Sequence, residues 1–223
     1  MKIVECAQYT PEWWTARRGI PTASRMGDII TAQTMKPSVG MTRYICELVG
    51  DLADPQYPRV DDYQSAAMKN GTILEPEARA WYEMDTNQTV RQVGFILSDD
   101  GRFGCSPDGL IGDAGGLELK SPLPKTHVAY LLDGGLPDAY KAQVHASLVV
   151  TGLAWWDFVS YCPGLEPLRV RVIPDDFTEA LRVCMAQFTE RYAEIKARIK
   201  IPSVSQPGVS PGTEPGVAEF IPS

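Results

Sequence analysis

The spacing of the hydrophobic residues changes near residue 89, and this change constrains the fold more than any other feature of the sequence. Before it, apolar residues recur at helical spacing, whereas from residue 90 to residue 120 short runs bounded by Gly, Pro and Asp predict strands. Helical spacing returns over about 138–151 and again, after two more predicted strands, over 177–199. The sequence therefore predicts an α/β protein, with a mixed sheet of the α+β type that is flanked by helices.

Capping residues place several of these elements more closely. Thr10 and Pro11 are typical of a helix start and Gly19 of its end, and a second start follows at Thr22. We expect two helical pieces on either side of Gly71, covering about 63–86. The other predictions are a helix over 42–53, loops over 54–62 and 112–116, strands over 90–98, 102–106, 117–120, 155–162 and 168–173, and an end at Gly152 for the helix over 138–151.

The chain of 223 residues, 44% of them hydrophobic, is long enough for one compact domain. We predict a single domain over 1–200 and a flexible tail over 201–223, where Pro, Gly, Ser and Val dominate. No apolar run approaches the roughly 18 residues of a membrane span, and the first residues lack the apolar core of a secretory signal. Five scattered cysteines without a C-x-x-C pair are typical of reduced thiols. Together these features predict a cytoplasmic protein without membrane association.

A net charge of −7 argues against a protein that coats nucleic acid by bulk electrostatic attraction. Binding of DNA through a local surface stays open, because it depends on where the charges lie. Residues 13–46 contain five basic residues against one acidic residue, Asp28, and a stretch rich in aspartate follows. This segregation predicts a basic wall beside acidic surfaces. Ordinary solvated faces would give the same pattern.

The candidate catalytic residues lie in two short segments, Cys105–Leu110 and Leu117–Lys120. Glu118 and Lys120 are two residues apart on a predicted strand, so their side chains leave from the same face. The glycine-rich segment between the two lets the chain reverse and return Asp108 beside Glu118. Converging carboxylates without a histidine or thiolate nearby suit Mg²⁺ or Mn²⁺, and a lysine adds a charge for phosphate. This set is equipped for metal-dependent phosphodiester hydrolysis.

Taken alone, this motif is a weak signal. A Pro-Asp pair followed by an acid-x-Lys segment should arise by chance in roughly one chain in ten or twenty, estimated from average residue usage. The alternative is that Pro107–Gly109 forms an ordinary turn and that Glu118 and Lys120 face solvent on an exposed strand. The chain would then carry incidental acidic residues and bind neither Mg²⁺ nor Mn²⁺.

Further motifs follow one another from residue 13 to about residue 145. Residues 13–24 read W-W-T-A-R-R-G-I-P-T-A-S, and Gly71–Ala78 reads G-T-I-L-E-P-E-A. With Cys105–Leu110, Leu117–Lys120 and the A-Q-V of residues 142–144, they resemble the ordered motifs of the lambda exonuclease family, the YqaJ-type viral recombinases. Some relatives carry a tyrosine where this chain has Ser147. The resemblance implies a restriction-endonuclease-like core of the PD-(D/E)XK nuclease superfamily.

The resemblance also implies a metal-dependent DNA exonuclease, a phosphodiester hydrolase, with Asp108, Glu118 and Lys120 as its catalytic residues. The metal ligands would be Asp108, Glu118 and the main-chain carbonyl of Leu119, with Glu75 helping to hold a second ion. The implied cofactor is Mg²⁺, with Mn²⁺ as an alternative, bound as two ions that stabilise the attacking and leaving oxygens.

Arg17 and Ser24 match the family's pocket for the 5′-phosphate of DNA. A guanidinium binds a terminal phosphate through two parallel hydrogen bonds, and Ser24 adds a hydroxyl near a helix N-terminus. Met68 lies where an apolar side chain could wedge into the terminal base pair. The further candidates for DNA contacts are Arg18, Arg25, Met68 and Gln143.

For function, the family implies 5′-to-3′ degradation of one strand of linear double-stranded DNA. The product would carry 3′ single-stranded overhangs for a single-strand annealing protein in phage recombination. A homotrimer around the DNA and action in the cytoplasm of a bacterial host are also implied. Two alternatives stay open: an endonuclease of the same superfamily, and a DNA-binding module with an inactive nuclease fold. A closed circular duplex separates the first, because an end-dependent exonuclease leaves it intact.

Overall fold

The computed structural model describes residues 1–54, 56–57 and 66–199, with the side chains of all these residues except 66–70 and 72. Within these ranges the α-helices are α1 (Pro11–Arg17), α2 (Met41–Ala53), α3 (Ala66–Thr86), α4 (Pro124–Asp133), α5 (Asp138–Thr151) and α6 (Asp176–Arg198), and Ala23–Asp28 forms a 3₁₀ helix. The strands are β1 (Lys2–Val4), β2 (Val90–Arg91), β3 (Phe95–Leu97), β4 (Gly104–Cys105), β5 (Gly109–Ile111), β6 (Gly115–Lys120), β7 (Trp155–Ser160) and β8 (Leu168–Val172). The predicted tail over 201–223 and most of the predicted loop over 54–62 lie outside the described residues.

The strands form two sheets. The larger sheet has the order β2-β5-β6-β7-β8, with β6 and β7 parallel and every other neighbouring pair antiparallel. The smaller sheet has the order β1-β3-β4 and is antiparallel throughout. The predicted mixed sheet flanked by helices is confirmed.

Helices cover both faces of the larger sheet. On one face Trp156 and Phe158 belong to the main hydrophobic core, which they share with residues of α5 and α6. On the other face Leu117 and Leu119 of β6 pack with Tyr82 of α3 in a second apolar cluster. Because side chains alternate along a strand, Glu118, which lies between these two leucines, faces α5.

Capping groups are present at the start of α6 and at the end of α5, and the end of α5 at Gly152 is as predicted. In α6 the Asp175 side chain accepts from the Thr178 N–H, and the Thr178 hydroxyl accepts from the Asp175 N–H, which satisfies two free backbone donors. The spacing of the apolar residues predicts one buried stripe along this helix that ends at Ile199. Phe177, Leu181 and Phe188 are buried, but Ile199 is 49% exposed because α6 ends at Arg198. At the end of α5, Gly152 adopts a left-handed conformation with φ of 72°, which favours glycine.

The region before the larger sheet differs from the prediction. The two helical pieces are wrong: α3 is one helix that continues through Gly71 and Pro76. A proline inside a helix removes one backbone hydrogen bond. The burial of Ala78 and Tyr82 against the sheet compensates for that loss, since both are fully buried in the second apolar cluster.

The single predicted strand over 90–98 is also wrong. It divides into β2 and β3, which belong to different sheets. The division falls at residues 92–94, where Gly94 lies against the backbone of Cys6; a Cβ atom on Gly94 would be 2.0 Å from the Cys6 carbonyl oxygen. This close approach comes from β1, whose pairing with β3 joins residues far apart in the sequence.

The predicted loop over 112–116 is shorter than expected. Gly115 and Gly116 are the first residues of β6, and the reversal needs only residues 112–114. A Cβ atom at either glycine would lie within 2.3 Å of a ring atom of Trp155 or Trp156. Glycine therefore stands here because tryptophan rings of β7 cover the strand. In the described part of the chain no helix has the length and apolar character needed to cross a membrane.

Candidate active site

Asp108 lies at the open end of the β5–β6 hairpin. The register pairs Gly109 with Leu117, so Asp108, one residue before β5, faces the C-terminal half of β6. The Asp108 N–H donates to the Leu117 carbonyl at 3.1 Å, and the Leu119 N–H donates to Asp108 Oδ2 at 2.6 Å. The predicted return of Asp108 to the strand of Glu118 is confirmed.

Glu118 and Lys120 leave β6 on the face that is covered by α5. Lys120 Nζ lies 2.5 Å from Glu118 Oε1, and Gln143 Nε2 of α5 donates to the same oxygen at 2.6 Å. The Glu118 side chain is only 3% exposed. Two donors therefore fix one oxygen of a buried carboxylate, and its second oxygen takes part in neither contact.

The charges of this site act strongly on one another. Burial raises the pKa of Asp108 well above its usual range, and the negative charge of Glu118 raises it further. Lys120 and the Leu119 N–H act in the opposite direction without cancelling the effect. Burial by itself lowers the pKa of Lys120, but the charges of Glu118 and Asp108 outweigh burial and raise it. Two carboxylates that repel each other, one buried and one partly buried, form an arrangement that a cation stabilises.

The Leu119 carbonyl points to the side of β6 on which Asp108 lies. In a strand the N–H and C=O groups of one residue point to the same side, and the Leu119 N–H points at Asp108. Glu75 lies on α3, where its side chain forms an ion pair with Arg79. Its negative charge contributes to the raised pKa of Asp108, after burial and Glu118. Among the described residues no group of three or more His, Cys, Asp or Glu side chains is close enough to hold a metal ion.

Arg17 lies near the segment that leads to Asp108, because α1 packs against β3 and contacts Ser106. Trp13 is buried, and its Nε1 donates to Ser106 Oγ at 2.9 Å; Arg17 Nη1 donates to the same hydroxyl at 3.0 Å. The Arg17 guanidinium lies 4.2 Å from the Trp13 ring centroid. Ser106 is two residues before Asp108, so one hydroxyl connects Arg17 to the segment that leads to Asp108.

The Arg17 guanidinium has no carboxylate partner among the described residues. Burial lowers its pKa, and the groups that act against burial are tyrosines and a cysteine. A partly buried cation without an anionic partner carries an uncompensated desolvation cost. Such a group is suited to binding an anion that comes from outside the protein.

Among the other residues predicted to bind DNA, Ser24 and Gln143 do not share the surroundings of Arg17. Ser24 is exposed in the first turn of the 3₁₀ helix, with its hydroxyl 3.3 Å from that of Thr22. Gln143 lies in the acid site itself, bonded to Glu118. The side chain of Met68 lies outside those that the structure describes.

Arg18 and Arg25 are each bonded within the protein. Arg18 donates to three main-chain carbonyls at the C-terminal end of α2, those of Asp51, Leu52 and Asp54. Arg25 forms ion pairs with Asp28 and Glu47. Their DNA contacts stay predictions, and these bonds favour a role in holding the 3₁₀ helix and α2 in place.

Three neighbours of the site were not predicted from the sequence. Gln8 donates through its side-chain amide to the Pro107 carbonyl at 2.9 Å and to the Val93 carbonyl at 3.2 Å. Tyr9 follows it, with 58% of its surface exposed. Ser106 lies inside the recognised C-S-P-D segment, which is a signal for it. Gln8 and Tyr9 gave no such signal, because the pairing of β1 with β3 brings them near Asp108.

The site and the fold together define a class of protein. Glu118 and Lys120 lie on a central strand of a mixed sheet that helices cover on both faces, and Asp108 lies just before the neighbouring strand. This is the arrangement of nucleases with the restriction-endonuclease-like PD-(D/E)XK fold, and the chain is a nuclease that acts on DNA.

Comparison with known proteins identifies the family. Residues 12–154 match the model of the YqaJ-like viral recombinase domain. Since this match covers more than half of the sequence, the chain belongs to the family of YqaJ-like viral recombinase domains. The comparison with curated proteins gave no significant match.

Solved structures agree with this family. LHK-Exo in complex with dAMP is 33% identical, with a TM-score of 0.73, over 85% of this chain and 95% of that one. A second structure of this alkaline exonuclease from Laribacter hongkongensis is 32% identical, with a TM-score of 0.67, over 85% and 97% of the two chains. A phage-related exonuclease from Haemophilus somnus 129PT is 8% identical, with a TM-score of 0.62, over 80% and 96%, and shares the fold.

Proposed function

We propose that this protein is a Mg²⁺-dependent 5′-to-3′ exonuclease that degrades one strand of linear double-stranded DNA and leaves 3′ single-stranded overhangs. The observation that carries the proposal is the convergence of Asp108 and Glu118 beside Lys120, together with the Arg17 guanidinium, which is bonded to Ser106 and lacks a carboxylate partner among the described residues. The first group suits a phosphodiester under attack, and Arg17 suits the terminal phosphate. The 33%-identical LHK-Exo has been solved with dAMP, a deoxynucleoside monophosphate of the kind an exonuclease releases.

The residues present fit a hard divalent cation. The carboxylates of Asp108, which is partly buried, and Glu118, which is buried, repel each other, and the Leu119 carbonyl points to the side of Asp108. These oxygens suit Mg²⁺, or Mn²⁺ as an alternative. Asp108, Glu118 and the Leu119 carbonyl would hold one ion, and Glu75 would help to hold a second after leaving Arg79. The bound ions would supply Lewis-acid polarisation of the phosphate and positive charge against the charge of the transition state.

Lys120 would act through its positive charge, and Gln143 would act through its hydrogen bond to Glu118. The ammonium of Lys120 carries a fixed positive charge beside the scissile phosphate, where it stabilises negative charge that develops during hydrolysis. Gln143 holds one Glu118 oxygen from α5, which fixes the direction of the carboxylate. The structure thus supports a positioning role for Gln143 in addition to its predicted DNA contact.

Arg17 and Ser24 select the 5′ end. A terminal phosphate carries up to one more negative charge than an internal phosphodiester, and its free oxygens accept two guanidinium hydrogen bonds. The bond to Ser106 uses one N–H of Arg17 and holds the guanidinium near the segment that leads to Asp108. The Ser24 hydroxyl is exposed and adds a neutral donor.

The proposal extends to the surroundings in which such an enzyme works. A homotrimer would enclose the DNA, and the 3′ overhangs would pass to a single-strand annealing protein during phage-type recombination in the cytoplasm of a bacterial host. Enclosure would explain how a chain with a net charge of −7 stays on DNA.

The polarity and the 5′-phosphate pocket are tested with linear duplexes that carry a label at either end. A label on the 5′-terminal nucleotide should be released first, while the 3′-terminal label stays on long single strands. A duplex without the 5′-phosphate should be degraded about ten- to a hundredfold more slowly, the effect of one charge-assisted contact. Arg17→Ala should nearly erase this difference, and Ser24→Ala should reduce it less.

Arg43→Ala is the matched control, because it removes one positive charge from the same basic stretch at an exposed ion pair. This variant should keep the full preference for phosphorylated ends. Early release of the 3′ label would contradict the polarity, and a full preference in Arg17→Ala would contradict the pocket.

A further inference from the structure

Tyr9 has a backbone conformation that bulky residues rarely adopt. Its φ is 66°, in the left-handed region that glycine enters freely and that brings the Cβ of other residues too close to the backbone. The side chain is also 58% exposed, so burial in the core does not explain why an aromatic residue stands there. Strained residues of this kind concentrate at functional sites, where their surroundings hold them in place.

The neighbours of Tyr9 hold it at the acid site. On one side the Gln8 amide bonds to the Pro107 carbonyl, next to Asp108. On the other side Thr10 caps α1 through its hydroxyl, and that hydroxyl also donates to the Ala7 carbonyl. The segment has contacts before and after Tyr9, and these fix the position of its backbone.

The ring of Tyr9 lies near both groups that the proposed function uses, the acid site and Arg17. Its centroid is 5.2 Å from that of Trp13, the ring on which the Arg17 guanidinium packs. Partial burial of the phenol group raises the pKa of Tyr9, and the charges of Asp108 and Glu75 raise it further. Arg17 acts on it in the opposite direction. Tyr9 is therefore within electrostatic range of both the acid site and the phosphate pocket.

We propose that Tyr9 stacks on the base of the 5′-terminal nucleotide of the degraded strand. This inference rests on the proposed function. In an exonuclease that releases mononucleotides, one nucleotide separates the 5′-phosphate from the scissile phosphodiester. The exposed ring of Tyr9 lies beside the region that this nucleotide must occupy. Stacking on an aromatic ring is tolerant of base identity, which suits an enzyme that must accept every sequence.

The test measures stacking and stability separately. In a background of Asp108→Asn, which stops hydrolysis, a 5′-phosphorylated duplex with 2-aminopurine at the 5′ terminus reports stacking by the quenching of its fluorescence. Tyr9→Gly should abolish this quenching and weaken binding roughly five- to a hundredfold, the range for one lost base–aromatic contact. Tyr9→Phe should keep both, because it keeps the ring. The melting temperature of Tyr9→Gly should not fall, since glycine relieves the strained φ.

Met35→Gly is the matched control. Met35 is also partly exposed and has a positive φ, of 53°, so its replacement relieves similar strain. It should leave quenching and binding unchanged. Equal quenching and affinity in Tyr9→Gly would overturn the inference about Tyr9 alone, provided that the wild type degrades linear duplex. A wild type that neither binds nor degrades linear duplex would overturn the proposed function, and this inference with it.

Discussion

At the scale of single residues, Lys120 shows how its neighbours limit the chemistry of a side chain. A lysine beside a metal site can act as a point charge or, if its pKa is lowered, as a base. The two carboxylates beside it raise its pKa, despite burial, so the ammonium keeps its proton in the metal-free protein.

Lys120→Ala should therefore bind DNA normally but lose the rate of hydrolysis by about 10²- to 10³-fold, as happens when one preorganised donor is removed. Lys120→Arg should not restore the rate, because a planar guanidinium cannot occupy the place of a compact ammonium 2.5 Å from Glu118. Single-turnover kinetics with excess enzyme measures this step. Near-normal turnover in the arginine variant would contradict a positional role for the lysine.

His145 gives the protein a dependence on pH that has no link to catalysis. Its side chain is buried between α5 and α6, where Nδ1 lies 2.8 Å from the Thr178 hydroxyl. Burial lowers its pKa, Asp175 opposes this, and Lys141 adds to it. The folded protein thus binds the proton less readily than the unfolded chain does, so stability is complete above a pH of about 6.5 and falls as the pH drops below it.

His145→Gln should reduce the loss of stability between pH 7 and pH 5. Urea unfolding at several pH values measures the free energy of unfolding for both proteins. His127→Gln is the control at the second histidine. Parallel curves for the wild type and His145→Gln would show that another group is responsible.

At the scale of elements, the sequence predicts what local chemistry determines. The end of α5 at Gly152 and the stripe of α6 follow from spacing and caps, and the face shared by Glu118 and Lys120 follows from the period of a strand. The element α4 was not predicted, although Pro124 in its first turn and Gly134, with φ of 70° after its last residue, are typical helix signals.

Contacts between distant segments could not be predicted in the same way. β1 places Gln8 and Tyr9 beside Asp108 through pairing with β3, and this pairing also divides the segment after Val90 between two sheets. The partners of Arg18 lie on α2, more than thirty residues along the chain. No local pattern in a single sequence records such contacts, which is why the residues around the acids were the least predictable part of the site.

Arg18 allows a prediction at this scale. Its guanidinium satisfies carbonyls that the end of α2 leaves without helical partners. Arg18→Ala should lower the free energy of unfolding by about 1–3 kcal/mol and keep the preference for 5′-phosphorylated ends. Thermal melting and the end-preference assay measure the two effects. Loss of the preference without loss of stability would assign Arg18 to the phosphate pocket instead.

At the scale of the whole molecule, the negative net charge requires an explanation for persistent contact with DNA. We expect the protein to form a homotrimer, so that enclosure replaces bulk attraction. Light scattering at micromolar concentration should give three times the mass of one chain. A monomer under these conditions would remove enclosure as the explanation.

The most direct test of the proposed exonuclease activity compares a 5′-phosphorylated linear duplex with a closed circular duplex of the same sequence, both with Mg²⁺. We expect an end-dependent exonuclease to degrade the linear DNA to nucleotides and single strands while the circle stays intact. Asp108→Asn and Glu118→Gln should be inactive on both substrates yet remain folded, because each removes one charge from a repelling pair. Cutting of the circle would identify an endonuclease, and an intact linear duplex would identify an inactive DNA-binding module; either result would contradict the account.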